Sequence, residues 1–266
     1  MTTLSRLKNL ELRLATTAAE IDAAQALRYR VFYGEMGARG SLETHLAERD
    51  VDRFDAFADH LVVVDLDRGS CPASSVVGCY RLLRESAAMA AGGFYTAAEF
   101  DLGAIRMAGH KLELGRSCID RNYRSGTVMQ LLWRGIADYL EMHDITLMFG
   151  CASLPGDDPD AVALPLAYLH HNHLAPEGLR PRALPHRYVA ADRLEAHEID
   201  AKAAIRALPP LLKGYLRLGG MIGDGAVIDR DFNTVDVCLV LPTERVQTRY
   251  QRHFAQVRTT LVLEAA

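Results

Sequence analysis

The sequence predicts one domain of mixed α/β class. Three observations lead there. The 266-residue chain is 49% apolar and 24% charged, the balance of a packed core with a solvated surface. Apolar runs of period two alternate with amphipathic stretches of helical period. No internal repeat or linker-like segment divides residues 1–266.

The elements follow in order. Residues 10–16 alternate as a first strand. Residues 18–36 read as a helix with Ile21, Ala24, Leu27, Val31 and Phe32 on one face, stopped by Gly34, Gly37 and Gly40. Residues 41–59 are acidic and irregular. HLVVVD at 60–65 and VVGCYRLL at 76–83 read as paired strands. The Ala/Gly-rich segment 85–110 reads as an insertion with short helices. A strand is predicted at 111–119 and a helix at 125–143, with Ser125 as N-cap. A buried strand at 145–151, a helix at 165–174, a proline-interrupted helix at 200–218 and a last strand at 234–241 complete the pattern. Residues 243–266 read as a basic, partly helical tail.

Bulk properties exclude several classes. A net charge of −4 argues against a nucleic-acid binder. The five cysteines have no CxxC spacing and sit mostly in apolar runs, as reduced core residues of a cytoplasmic protein would. No secretory signal and no run of 18 apolar residues is present, so membrane contact is expected to be peripheral, on the inner membrane. His170, His171 and His173 lack a Cys or carboxylate at zinc spacing, and no metal is expected.

The stretch LELGRSCIDRNYRSGTVMQLLW at 112–133 carries the chemistry. Glu113 and Arg116 lie three apart in a strand, which should put them on opposite faces. A β-bulge at Gly115 would restore a common face and splay the strand from its neighbour. The turn Arg121–Gly126 then opens a helix, where unsatisfied N–H groups, the helix dipole and two arginines favour phosphate.

This strand, Arg-rich turn, helix and strand resemble the acyl-binding core of the GNAT acyltransferase superfamily. The implied fold is α/β and GNAT-like, a mixed central sheet with flanking helices. The GNAT turn reads Q/R-x-x-G-x-G/A; here it is Arg121-x-x-Arg124-x-Gly126, so arginine replaces the first glycine. That departure suits the single phosphate of a carrier-bound phosphopantetheine arm better than the pyrophosphate of CoA. Acyl-homoserine-lactone synthases, an outlying GNAT branch, are matched at Arg28, Phe32, Asp52, Asp55, Arg81, Glu113 and Arg116, but their tryptophan after the first helix is absent, since the sole Trp is Trp133. A fuller resemblance, from about residue 11 to about residue 245, is to the L-ornithine N-acyltransferases that make lyso-ornithine lipid. It is carried by LRYRVFYGEMGA, FDAFADHLVVVD, GFYTAAEFDL, LELGRSCIDRNYRSG, MQLLWRGIADY and LPPLLKGYLRLGG.

The resemblance implies an enzyme that moves a 3-hydroxyacyl chain from acyl carrier protein to the α-amine of L-ornithine, with no bound cofactor. Glu113 is the candidate base and Arg116 its positioning partner, or a contact to substrate. Asp52 and Asp55 suit the side-chain ammonium, and Arg28 and Arg81 the carboxylate; the same four residues could instead close a buried ion network. Phe32 and Phe100 complete the expected substrate contacts, with Phe94, Tyr95 and Phe100 as an acyl groove. Arg121, Arg124, Ser125 and Gly126 would hold the phosphopantetheine phosphate.

Lys202, Arg206, Lys213 and Arg217 fall within about 60° of one another on a helix at about 100° per residue. A one-signed stripe on an acidic chain suits an acidic partner, either acyl carrier protein or an anionic membrane surface. The residues leave other readings open: lysine or glutamine as acceptor, an acyl-homoserine-lactone synthase, or a non-catalytic carrier- or lipid-binding module.

Overall fold

The computed structural model describes residues 3–244. The tail expected at 243–266 thus lies outside the described residues beyond Glu244. The chain opens with a strand the sequence reading missed, β1 (Thr3–Leu7), paired antiparallel with β2 (Leu10–Leu14). Helix α1 (Ala18–Phe32) starts at a capping box, in which Thr17 Oγ1 accepts from Glu20 N and Glu20 Oε2 accepts from Thr17 N. It ends four residues earlier than expected. Part of the stretch read as irregular is a short helix, α2 (Leu42–Ala47), capped by Ser41.

β3 (Asp59–Asp65) and β4 (Val76–Arg84) pair antiparallel as expected, with α3 (Pro72–Ser75) in their connection. The insertion holds α4 (Glu85–Ala90) and β5 (Phe100–Asp101). Then come β6 (Lys111–Ile119), α5 (Thr127–Met142), β7 (Leu147–Pro155) and α6 (Ala163–His173). Two short strands, β8 (Arg182–Ala183) and β9 (Tyr188–Val189), precede α7 (Ala201–Ala207) and α8 (Pro210–Arg217). The single helix expected at 200–218 is therefore two, because Pro209-Pro210 lacks the N–H groups to continue α7 but suits the first turn of α8. β10 (Met221–Ile222), β11 (Ala226–Asp229) and β12 (Thr234–Pro242) close the fold.

One sheet runs β1-β2-β3-β4-β6-β7-β12-β11-β9, with β10 also on β12. Its ladders are antiparallel except β6 with β7. Helix α5 lays Val128, Leu131, Leu132, Ile136 and Leu140 on one face, against Leu12, Leu61, Val63, Tyr80 and Leu82. Helix α1 covers the other face with Ala24, Leu27 and Val31 against Val62, Val64 and Cys79. At roughly 25 cal/mol per Å2 of apolar surface, each such buried leucine or isoleucine favours folding by about 2 kcal/mol before entropy is counted. The three-layer α/β/α arrangement is the GNAT-like fold expected. Strands β6 and β7 form its centre, and there the sheet opens.

Candidate active site

The β6–β7 ladder covers only Lys111–Glu113 against Leu147–Phe149. Beyond it, β7 turns wholly to β12, while β6 stays with β4. The β7-facing edge of β6 from Gly115 onward therefore has no ladder partner. Just before the strands part they touch: a Cβ on Gly150 would lie 2.3 Å from the carbonyl oxygen of Leu114. The gap between the strands is a cavity of ≈ 520 Å3 that reaches both faces of the sheet.

The expected bulge exists one residue later than Gly115. Cys79 pairs with Cys118 and Arg81 with Gly115, so β6 spends two residues, Arg116 and Ser117, opposite Tyr80. Arg116 takes the left-handed conformation (φ 51), which is strained for a non-glycine residue. The bulge leaves Glu113 and Arg116 on the α1 face, where both meet the loop at Tyr95.

Arg116 does not pair with Glu113. Its Nε donates to Asp50 Oδ2 (3.0 Å) and its Nη2 to Asp52 Oδ2 (3.1 Å), with the guanidinium between the rings of Tyr95 and Phe232 (4.7 and 4.6 Å). Arg28 donates to Asp50 (2.7 Å) and to both oxygens of Asp55 (2.9 and 2.8 Å); Arg81 Nη1 donates to Asp52 (2.6 Å) and Asp55 (3.1 Å). Three arginines and three aspartates thus form one neutral network. Burial works against the charge of Arg28, yet Asp55 and Asp50 outweigh it and raise its pKa. Burial likewise opposes the Asp55 carboxylate, and Arg28 and Arg81 hold it well below the usual range. Asp55 also accepts from Gln25 and from the Asp52 N–H, which leaves its oxygens fully engaged. Of these residues only Arg81 and Arg116 line the cavity. Arg28, Asp52 and Asp55, expected as substrate contacts, are engaged in the ion network that sets Arg81 and Arg116, and none of the three lines the cavity. Asp50, the hub of the network, was missed.

Glu113 is buried and lines the cavity. Its Oε1 accepts from Thr96 N (2.6 Å) and Thr96 Oγ1 (2.5 Å), and its Oε2 from Tyr95 N (2.9 Å). Burial raises its carboxyl above the ordinary value, against the lowering effect of those donors. The 95–96 turn, rather than Arg116, fixes its orientation.

Across the gap, β12 and the end of β11 bring further acids that sequence reasoning did not single out. Asp229, Thr234 and Asp236 line the cavity beside Cys151 and Ser153 of β7. Burial and then Asp229 push the Asp236 carboxyl up to about 6. Behind it Glu99, raised to about 7 by burial and then by Asp236, accepts from Cys151 Sγ (3.2 Å) and pairs with Arg187 (3.5 Å). Glu99, Cys151 and Asp236 bring ligand-type atoms within 4.8 Å of one another, the group among the described residues able to hold a metal. The Cys151 thiol donates to Glu99, and burial pushes it well above its ordinary value.

At the opposite end, Arg124 and Gly126 line the cavity where α5 begins. Gly126, not Ser125, is the N-cap, because the chain enters the helix in a left-handed conformation (φ 105). No side chain caps α5, so its first N–H groups have no side-chain acceptor. Arg124 donates to the Ile119 carbonyl (3.0 Å) and pairs with Glu35 (2.9 Å); Arg121 is 68% exposed and lies 3.6 Å from the same glutamate. Ser125 lies outside this cavity, in a separate surface cleft with Tyr123 and Thr127.

The apolar wall is Tyr80, Leu114, Met129, Leu211, Leu212 and Tyr215 with Pro209 and Pro210. It comes from β4, β6, α5 and the start of α8; of Phe94, Tyr95 and Phe100, expected as the groove, only Tyr95 lines the cavity. Phe100 is core, buried with Ile105, Leu147 and Phe149, and Phe94 stacks edge-on against Phe149 (4.8 Å). Phe32 and Tyr95 do reach the cavity. Lys202, Arg206 and Arg217 are exposed and Lys213 partly so, on α7 and α8. Lys213 Nζ donates to the Arg206 carbonyl (3.0 Å), and Arg217 has a contact of its own. His171 and His173 bond to the Leu194 carbonyl and Tyr168.

Comparison with known proteins adds to this geometry. Residues 27–134 match the family model described as an acetyltransferase (GNAT) domain. The chain is 48% identical over 254 residues to L-ornithine N(alpha)-acyltransferase of Brucella abortus (strain 2308), covering 94% of this chain and 90% of the relative. It is 46% identical over 254 residues to L-ornithine N(alpha)-acyltransferase of Rhizobium meliloti (strain 1021), covering 94% and 86%. Among solved structures, an N-acyl amino acid synthase from uncultured soil microbes shares the fold, with TM-score 0.50 and 12% identity, covering 90% of this chain and 93% of that one.

Proposed function

From the membership of this chain in the L-ornithine N(alpha)-acyltransferase family, acyltransferases with a GNAT domain, we propose that it acylates the α-amine of L-ornithine with a 3-hydroxyacyl chain carried by acyl carrier protein, giving lyso-ornithine lipid. The observation that carries the reading is the cavity through the parted strands, with charged groups at one face and an apolar wall at the other. An amino acid and an acyl thioester can meet there from opposite sides of the sheet.

Amide formation needs a deprotonated amine, a stabilised oxyanion and a departing thiolate. Glu113 accepts the amine proton, directly or through water; its fixed orientation and raised affinity for a proton suit the task. The unpaired edge of β6 around the bulge supplies N–H groups toward the thioester oxygen. Arg81 and Arg116, held by the aspartate network, meet the ornithine carboxylate. The acyl chain lies along Met129, Leu211, Leu212 and Tyr215.

The donor is carrier-bound because Arg124, tethered at the mouth of α5, takes space that a pyrophosphate would need, while the uncapped helix end still suits one phosphate. Gly126 and Arg121 complete that contact. The four basic residues, expected on one helix face, are divided between α7 (Lys202, Arg206) and α8 (Lys213, Arg217); α8 walls the cavity, so an acidic carrier docked on them passes its arm directly inward. An anionic membrane surface is the alternative partner for the stripe, with the protein cytoplasmic and peripheral. Among the described residues no helix is long and apolar enough to cross a membrane.

The test is mass spectrometry of products when the same 3-hydroxyacyl chain is offered on carrier protein or on CoA to a mixture of ornithine, lysine, glutamine and S-adenosylmethionine. N-acylornithine from the carrier thioester supports the reading. A homoserine lactone, or equal use of CoA, refutes the acceptor or the donor respectively.

A further inference from the structure

Two buried polar atoms of the cavity have no hydrogen-bond partner in the protein: Thr234 Oγ1 and Asp236 Oδ1. Both residues are nearly inaccessible, at 2% and 4% exposure, and both line the cavity. They are two apart on β12, so they share a face of the sheet, the face that carries Cys151 and Ser153 on the neighbouring strand. The hydroxyls of Thr234 and Ser153 both lie close enough to lower the Asp236 carboxyl, yet Thr234 Oγ1 and Asp236 Oδ1 remain without a partner. A buried, unsatisfied oxygen costs on the order of 1–3 kcal/mol, more when charged, and two together call for an explanation.

The electrostatics say what would satisfy them. The cavity's other aspartate, Asp229, spends Oδ1 on the N–H groups of Asp231 and Phe232. Neither Asp229 nor Asp236 has a salt-bridge partner among the described residues, unlike Asp50, Asp52 and Asp55, which are matched by Arg28, Arg81 and Arg116. Glu99 adds negative charge behind Asp236, offset in part by Arg187, and the charge of Arg116 favours the Asp236 carboxylate. This end of the cavity therefore offers acceptors whose charge no salt bridge among the described residues matches. An ammonium group supplies three donors and one positive charge.

We propose that Thr234 and Asp236, with Asp229 beside them, form the subsite for the side-chain ammonium of the acceptor amino acid, and so select a basic amino acid over a neutral one. The inference rests on the reading of the protein as an amino-acid N-acyltransferase. It moves ammonium recognition from Asp52 and Asp55, whose charges are matched within the protein, to the acids of β11 and β12. It also separates two carboxylate roles across the gap: Glu113 on β6 faces the reacting amine, and Asp236 on β12 holds the amine that must not react.

The experiment offers ornithine and norvaline, which lacks only the side-chain amine, in competition to the full chain with its acyl donor. The product ratio is read by mass spectrometry for wild type, Asp236→Asn and Thr234→Val. Asp236→Asn removes a buried charge without changing shape, and thermal unfolding checks that each variant is folded. The ornithine-to-norvaline ratio is expected to fall about 10- to 100-fold in Asp236→Asn, the worth of a charged hydrogen bond, and less in Thr234→Val. A wild-type ratio in both variants, or loss of both products together in a folded Asp236→Asn, overturns the subsite; the second result would make Asp236 part of the acyl-transfer step. A wild-type protein that acylates lysine and not ornithine refutes the ornithine reading alone, and the lysine-to-norleucine ratio then tests the subsite in the same variants.

Discussion

Replacing Arg28 with methionine removes the guanidinium at the centre of the ion network while nearly keeping its volume. Arg28 is 1% exposed and makes three hydrogen bonds to the carboxylates of Asp50 and Asp55, plus one from Nη2 to the Asp50 carbonyl. Removing one partner of a buried ion pair costs about 3–5 kcal/mol, because the other charge stays buried. Asp55 keeps Arg81 and Asp50 keeps Arg116, so the lower end, about 3 kcal/mol, is the expected value. At roughly 2–4 °C per kcal/mol for a large domain, Tm should drop by about 6–12 °C. The pH dependence is a sharper test. The carboxyls of Asp50 and Asp55 are held low in the folded protein. Their contribution is therefore present above the ordinary carboxylate value and is lost as pH falls through the folded one. Without Arg28 they protonate more readily, so the gap between wild type and Arg28→Met should narrow as pH falls below about 5. Urea unfolding at pH 7 and pH 4.5 measures both quantities. A loss below about 1 kcal/mol, the worth of an exposed pair, together with weakened ornithine binding, would refute the structural role and restore Arg28 as a substrate contact.

Glu113→Gln should abolish turnover, checked by single-turnover acyl transfer, while carrier binding changes little; near-normal turnover would remove Glu113 as the base. Gly150→Ala places a methyl 2.3 Å from the Leu114 carbonyl and should destabilise the protein by about 1–3 kcal/mol in urea unfolding, with loss of activity because the strands part too early. Asp236, raised in the folded state to about 6, favours folding below its ordinary value, and that contribution is lost as pH rises through 6. Tm should therefore fall between pH 5 and pH 7 in wild type by more than in Asp236→Asn; equal slopes would contradict the burial of that charge beside Glu99, Cys151, Asp229 and Arg116. Reversing the charge of Lys202, Arg206 and Lys213 should abolish salt-sensitive carrier binding, measured by titration at two ionic strengths; unchanged affinity would point the stripe elsewhere.

What was legible in the sequence was mostly local. Strand β6 has its expected bounds because alternation and a following cap-and-turn both mark them. The bulge was legible from the glycine and the spacing of Glu113 and Arg116, but its position was not. Arg116 holds the left-handed conformation through salt bridges to Asp50 and Asp52, more than sixty residues away, and local propensity carries no trace of them. The same distance hid Asp50 in a stretch that reads as irregular. Ser125 competed with Gly126 for the helix start, and backbone handedness, which side-chain capping rules do not see, decided it. The apolar groove was sought among the aromatics of the insertion. Phe100 proved to be core because β5 packs under β7, whereas the groove forms where α8 crosses the parted strands. The orphan oxygens of Thr234 and Asp236 lie in a TVDVCLVL run whose alternation is that of any buried strand, and only the missing partners set them apart.

Ornithine is expected to lie across the gap with its α-amine toward the thioester and its side-chain ammonium toward β12. Tandem mass spectrometry of the product made from 3-hydroxyacyl carrier protein and ornithine locates the new amide. Acylation on the α-nitrogen alone, with the side-chain amine free, is the expected result; acylation on the side-chain nitrogen, or a mixture of the two, would contradict it.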